Sequence, residues 1–349
     1  MNNLNLKDHI QITTSIQHIQ RRDTASTMNN FLPDVTLDAA GLVAIAEITA
    51  VAQRTVLTGT SIYSDSLILC PGLHRQQSAP DLNNGEYPAV AAMTSGYVFR
   101  VENPATASFL QRHGLTGHLT TLEVLPSTDG KKKAFSWNAK AIAPHIFYWL
   151  SAALSPAVLA FFLYIREWWG VFCLLVLMFA RLCNVFVIRR RTSEVGWKGA
   201  SEPGVQGDLL ILMSGDCWIR MQGAVDDLKA VTSGKWWRER TMAEDCLTAL
   251  ATVLVYVNTA LVSNIRTLNQ IILLVMFVLS AALLFLANIT TLAMHMYGRK
   301  IQVKGKPKKY YRRRDMADEL IAESGRKDWA RRLGLIVEGD GVDNSPIIM

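Results

Sequence analysis

The sequence predicts a membrane protein: a four-span α-helical bundle made of two helical hairpins, with a cytosolic α+β N-terminal region and a small cytosolic loop domain. Three observations predict it. Phe147 to Ile188 is almost continuously apolar, broken only by Arg166, Glu167, Trp168 and Trp169. A second apolar stretch, Cys246 to Met294, breaks after Asn264. Basic residues flank these stretches on alternate sides.

As one helix the first stretch would measure ~63 Å, about twice the hydrocarbon core of a bilayer. It therefore folds back, giving spans 147–165 and 169–188 around the Arg166-Glu167 turn. The third span, 246–264, carries Thr248, Thr252, Asn258 and Thr259 and is the least apolar; the fourth, 271–294, is strongly apolar. Lys131, Lys132, Lys133 and Lys140 precede the first span, and only Arg166 follows it. Arg189, Arg190 and Arg191 follow the second span, Lys235, Arg238 and Arg240 precede the third, and only Arg266 separates the third from the fourth. The positive-inside rule then places both termini and the 189–243 loop in the cytosol. Without the third span, the basic segment after Met294 would lie outside, against that rule.

Composition agrees. Half of the 349 residues are hydrophobic, 19% are charged, and the net charge of +7 is gathered beside the apolar runs. That pattern suits an anionic membrane surface and points away from nucleic acid. The five cysteines have no C-x-x-C spacing, so neither a disulfide framework nor a zinc site is expected.

The polar stretch 1–36 is expected to be disordered, with no secretory signal. In the 37–143 region, Leu42, Val43, Ile45, Ile48 and Val51 follow a helical pattern interrupted by Glu47 and Arg54, which predicts a soluble or surface-lying amphipathic helix ending near Leu57. Tyr97 to Val101 reads as a strand, and Asn103-Pro104 as a helix start closed by Gly114. His118 to Leu125 and Lys133 to Trp137 read as a hairpin around Asp129-Gly130. In the loop domain, strands Leu209 to Met213 and Cys217 to Met221 flank a Gly215-Asp216 turn, followed by a helix from Val225 to Val231. The 299–349 segment is expected to be a basic tail with amphipathic helices marked by Met316, Leu320, Ile321, Trp329 and Leu333.

Two groups of residues are candidate sites. Arg181, Asn184 and Asn288 lie at similar depth in the inner half of the spans and are expected to form one intramembrane polar cluster, either holding the bundle together or contacting a substrate. Arg299, Lys300, Lys304, Lys306, Lys308, Lys309, Arg312, Arg313 and Arg314 are expected to touch anionic lipid headgroups, each contributing ~1 kcal/mol near such a surface. Pro156 is a possible kink in the first span; Ser151, Ala152, Ser155 and Ala160 offer a small-residue packing face. Tyr148, Trp149, Trp168, Trp169, Trp236 and Trp237 are expected to form an aromatic belt. His74, His113 and His118 are scattered and read as ordinary surface or capping residues. Asp226 and Asp227 are adjacent on a helix and share no face, so they make no paired-carboxylate site, and Cys217 reads as a buried thiol. There is no phosphate-binding, dinucleotide-binding, zinc-protease or nucleophile-elbow motif, no EF-hand in GDGVDNSP, and no expected cofactor or metal. Asn288-Ile289-Thr290 matches a glycosylation sequon but falls within a span.

The blocks GWKGASEPGVQGDLLILMSGDCWIRMQGAVDDLKAVTSGKWW and KPKKYYRRRDMADELIAESGRKDWARRLGLI resemble a family of fungal multi-pass integral membrane proteins with no assigned activity. The resemblance implies the membrane topology and no chemistry. The expected partners are the bilayer, anionic lipid and other proteins. A non-enzymatic scaffold or regulator is the leading reading, a small transporter or channel subunit the alternative, and a membrane enzyme third.

Overall fold

The computed structural model describes residue 46 and residues 49–336, apart from 74, 77, 127–138, 194, 195 and 198. The expected disorder of 1–36, most of the 37–57 pattern, the strand at 133–137, His74 and the acidic tail lie outside the described residues.

The chain opens with α1 (Ala50–Thr58), a short 3-10 turn (Tyr63–Leu67) and α2 (Ala79–Asn83). Next come β1 (Ala89–Ala92), β2 (Val98–Arg100), α3 (Pro104–His113) and β3 (His118–Pro126). The Asn103 side chain caps α3 by accepting from the amides of Ala105 and Thr106, and Gly114 closes it by donating to Leu110 O, as the sequence predicts.

Four helices are long and apolar enough to cross a membrane. They are α4 (Ala139–Tyr164), α5 (Trp168–Thr192), α7 (Met242–Leu261, extended by a 3-10 turn to Asn264) and α8 (Thr267–Thr290). Between α5 and α7 lie β4 (Gln206–Met213), β5 (Cys217–Ala224) and α6 (Val225–Thr232). The β4–β5 turn is the expected one, with Gly215 and Asp216 both at positive φ, 69° and 56°. After α8 come β6 (Ala293–Met296), β7 (Arg299–Val303), β8 (Lys308–Lys309), α9 (Arg313–Ser324) and α10 (Asp328–Arg332).

Several boundaries differ from expectation. The fourth span was expected to reach Met294, but α8 stops at Thr290, where the Thr290 and Thr291 hydroxyls donate back to helix carbonyls, and β6 begins at Ala293. α4 passes through Pro156 without a break. The helix at 50–58 is not surface-lying: Ala50, Val51, Val56 and Leu57 are buried. The segment 299–314 is no free tail, because it supplies β7, β8 and the start of α9.

One eight-stranded mixed sheet takes strands from all three segments outside the four apolar helices, in the order β2-β1-β4-β5-β3-β7-β6, with β8 also pairing β3. Only β3 and β5 run parallel; the other pairs are antiparallel. The N-terminal region and the loop domain, which the sequence suggests as separate units, therefore share one sheet. Alternation along the strands buries both faces. Val90, Leu122, Leu209, Ile211, Ile219 and Ile301 face a core shared with α1, α3, Trp236 and Trp237, beside Ile188 near the end of α5. Leu119, Leu210 and Trp218 face Met316, Leu320 and Trp329 of α9 and α10. The amphipathic C-terminal helices thus cover the far side of the sheet.

In the bundle the closest pairs are not the sequential ones: α4 packs chiefly on α8, and α5 on α7. Ser151, Ala152 and Ser155 are buried as expected, and Ser151 Oγ lies 3.0 Å from Ser280 Oγ; Ala160 is exposed instead. Trp149, Trp168 and Trp169 are exposed, whereas Tyr148, Trp236 and Trp237 are buried and leave the expected belt. At the turn end, Asn269 Nδ2 donates to Glu167 Oε2 at 3.0 Å and Arg266 pairs with the same carboxylate at 3.5 Å, clasping the two helix turns together.

His113, at the end of α3, carries a testable pH dependence. Burial, helped by neighbouring Arg112, pushes its imidazole down to about 4, and its Nε2 has no hydrogen-bond partner. An unfolded imidazole titrates near ~6.5, so the unfolded chain takes the proton first. Stability is therefore unaffected above that value and falls as pH drops from there toward 4. Comparing melting temperatures at about pH 7 and about pH 4.5, His113→Leu should lose less on acidification than the unaltered chain.

Candidate functional site

The three polar residues expected to cluster inside the spans do not meet one another. Each takes its partner from the chain between residues 50 and 76. Asn288 Nδ2 donates to Ala50 O at 2.7 Å, Arg181 Nε to Asp65 O at 3.3 Å, and Asn184 Nδ2 to Leu73 O at 2.9 Å. Gln76 Nε2 in turn donates to the Asn184 carbonyl and side-chain oxygens at 3.1 and 3.2 Å. Where the sequence predicts a soluble region, residues 61–76 enter the helical bundle.

The reason is packing. Because α4 pairs with α8 and α5 with α7, the sheet-side half of the bundle has room for another segment, and the 3-10 turn packs against both α4 and α5. Leu69 and Leu73 are buried with Phe162, Leu174 and Phe277, and Cys70 Sγ lies 3.5 Å from Ser280 Oγ. Ser280 is ten residues from the end of α8, or ~15 Å along the helix axis. The segment thus reaches the middle of the bundle. Its irregular backbone carries carbonyls that no regular helix satisfies, and the polar side chains of the spans supply the donors.

One carboxylate sits inside this arrangement. Asp65 accepts from the Tyr148 hydroxyl at 2.7 Å through Oδ1 and from the Ile62 amide at 2.9 Å through Oδ2. Ser64 Oγ is 2.8 Å from the same tyrosine oxygen, and the Arg54 guanidinium lies 4.7 Å over the Tyr148 ring. A single acid therefore faces two guanidinium groups, Arg54 and Arg181, and this end of the bundle is left electropositive. The sequence reading takes Arg54 only as an interruption of a helical pattern and misses Asp65, whose available signal is an isolated acid in the otherwise uncharged run from Thr55 to Leu73.

A separate cleft of about 530 Å³ is lined by Thr58, Thr60, Arg189, Thr192, Ser193 and Arg299, together with the β6–β7 turn. Arg189 stacks 4.6 Å over the Tyr63 ring, and the Thr60 and Thr192 hydroxyls are 2.7 Å apart. Gly59 fixes the approach of α1 to β6: a Cβ there would lie 2.5 Å from His295 O. Trp236 Nε1 donates to Gly59 O at 2.8 Å.

The nine basic residues from Arg299 to Arg314 are spread along the sheet. Five have acidic partners: Arg299 with Asp227 at 2.7 Å, Lys304 with Glu123 at 3.7 Å, Arg314 with Asp318 at 3.7 Å, Lys308 with Glu319, and Arg313 with Asp216. Asp226 accepts from the Ser201 hydroxyl and the Glu202 amide, so it and Asp227 serve different partners. Behind the sheet, Asp208 and Glu323 both bind Arg220, whose pKa their hydrogen bonds raise. Cys217 is half-buried, 3.8 Å from Thr116 Oγ1. Among the described residues no group of His, Cys, Asp and Glu has metal-binding geometry.

No protein-family model, curated protein or solved structure matches the chain. The site is therefore read from its geometry alone.

If the inserted segment is seated by this node, removing the Tyr148 hydroxyl leaves a buried carboxylate one donor short, at a cost of about 1–3 kcal/mol. Tyr148→Phe should lower the melting temperature in detergent, and Arg181→Leu should also lower it. Two unchanged melting temperatures would show that the segment draws no stability from this node.

Proposed function

We propose that the chain is a multi-pass membrane scaffold or regulator. Its four apolar helices cross the bilayer, both termini and the sheet lie on the cytosolic side, and the sheet region engages protein partners and anionic lipid. The observation that carries this reading is the composition of the sheet. Its strands come from before α4, between α5 and α7, and after α8, so an even number of crossings separates each group from the next. Arg189, Arg190, Arg191, Lys235, Arg238 and Arg240 stand at the sheet end, whereas only Arg166 and Arg266 stand at the turns, which supports a cytosolic sheet. Trp197, 82% exposed just beyond α5, suits the headgroup region.

A small transporter or channel subunit is the second reading. The observation favouring it is irregular backbone with an ionisable Asp65 at the depth of the spans, an arrangement that transport proteins use. Flux measured in proteoliposomes separates the two readings: a solute flux abolished by Asp65→Asn would favour transport over scaffolding.

The topology is tested with a biotin-acceptor peptide and a ligase confined to the cytosol. Inserted at Ser201, in the loop between α5 and β4, the peptide should be biotinylated; inserted at Ser263, in the α7–α8 turn, it should not. The reverse pattern would put the sheet outside the cytosol and overturn the reading.

A further inference from the structure

We propose that the cleft between the end of α5 and the β6–β7 turn is a binding site for a phosphate-bearing anion, foremost the headgroup of an anionic phospholipid. The inference rests on the membrane reading and adds a defined site to it.

Position comes first. Arg189 follows Ile188, the last apolar residue of the second span. An arginine there stands at headgroup level if α5 crosses the bilayer, with its stem able to lie along apolar surface. The Tyr63 ring lies 4.6 Å from its guanidinium, a cation–π contact that favours this rotamer before any phosphate binds.

Charge and donors agree with that position. No carboxylate is among the residues lining the cleft. Arg299 at its edge is held by Asp227 and by Tyr297 O, but no described hydrogen bond or ion pair occupies the guanidinium of Arg189. The lining also includes Tyr297 and Gly298 at the tip of the β6–β7 turn, and no described hydrogen bond uses their amides. Guanidinium and backbone N–H groups together are the donor set that phosphate oxygens require. Deeper in the bundle, Arg54 and Arg181 both face Asp65, so two guanidinium groups share one carboxylate and add positive potential without touching the ligand.

The hydroxyls have a different role. Thr192 donates to Ile188 O, Thr58 to Thr60 O, and Ser193 to Arg190 O. They fix the walls of the cleft, and recognition falls to Arg189 and the turn. That distinguishes this site from diffuse attraction to the basic segment 299–314, in which five of the nine residues already have acidic partners.

The test uses the full chain in nanodiscs of phosphatidylcholine, with and without phosphatidate, and reads both the melting temperature and the lipid retained in native mass spectrometry. Phosphatidate should raise the melting temperature, and Arg189→Gln should weaken its retention about tenfold. Arg189→Lys keeps the charge but loses the planar fork, so its retention should fall between that of the unaltered chain and that of the glutamine variant, which guards against a folding defect in the glutamine variant. Replacing Lys306, Lys309 and Arg312 by glutamine removes the same sign of charge away from the cleft and should leave retention unchanged. A parallel arm adds inorganic phosphate to phosphatidylcholine discs. A shift there that Arg189→Gln also abolishes supports the site with a soluble phosphate as its ligand; no shift there, with the phosphatidate effect intact, supports the lipid. Retention unchanged in Arg189→Gln, or lost instead in the triple variant, overturns the proposal. Failure of the membrane reading looks different: the protein would then stay monodisperse without detergent and would not enter the discs.

Discussion

The pairing of backbone polar groups inside the bundle is the constraint on which the rest of the structure depends. A helix satisfies its own carbonyls, so four helices alone would need nothing further. Residues 61–76 break that self-sufficiency by bringing irregular backbone to the depth of Ser280. Each buried group left unpaired there would cost about 1–3 kcal/mol. Arg181 and Asn184 answer two of those needs directly, through the carbonyls of Asp65 and Leu73. Asn288 donates to the carbonyl of Ala50 in the first turn of α1 and so ties α8 to that helix. Arg181 and Asn184 are thus donors to the inserted segment and Asn288 a donor to α1, and no described hydrogen bond joins the three.

The same segment ties the bundle to the sheet. From Gly59 the chain turns out of α1 against β6, so close that only glycine fits, and Trp236 reaches across to hold the Gly59 carbonyl. Trp236 belongs to the core beneath the sheet, and Cys70, eleven residues beyond Gly59, touches the middle of α8. A shift of the inserted segment would therefore disturb Trp236 and β6 together, because close-packed interiors transmit displacement and do not absorb it. This is a contiguous mechanical connection; coupling between its ends is a separate matter that needs its own measurement.

The legible parts of the sequence were those set by local pattern. Hydropathy locates all four apolar helices, with ends within about four residues except the start of α4, which is Ala139 and not Phe147; the Asn103 cap and the Gly215-Asp216 turn are local chemistry and agree as well. What escaped was decided by long-range pairing. Nothing near His118 signals a parallel partner almost a hundred residues away in β5, and nothing around Tyr63 distinguishes a short apolar run buried among helices from one buried under a sheet. Tryptophans show the same limit: Trp168 and Trp236 have similar neighbours in sequence, yet one is exposed at a helix start and the other is fully buried.

The basic residues near the sheet end answer to two different demands, and separating them changes what net charge means for this chain. Charges that set topology must act during insertion, before the sheet exists, so their later partners are irrelevant to that task. Charges that act on a finished surface must still be available after folding. Arg190 and Arg238 both end on Glu244, and Arg299, Lys304, Lys308, Arg313 and Arg314 also have acidic partners. Their long-range field is largely cancelled beyond a Debye length of ~8 Å. Lys300, Lys306, Lys309 and Arg312 have no ion pair among the described residues, and none of them lines the cleft beside Arg189. Five of the nine basic residues along 299–314 are thus already paired, whereas Arg189, at the end of α5, has an aromatic partner in Tyr63 and no described hydrogen bond or ion pair on its guanidinium.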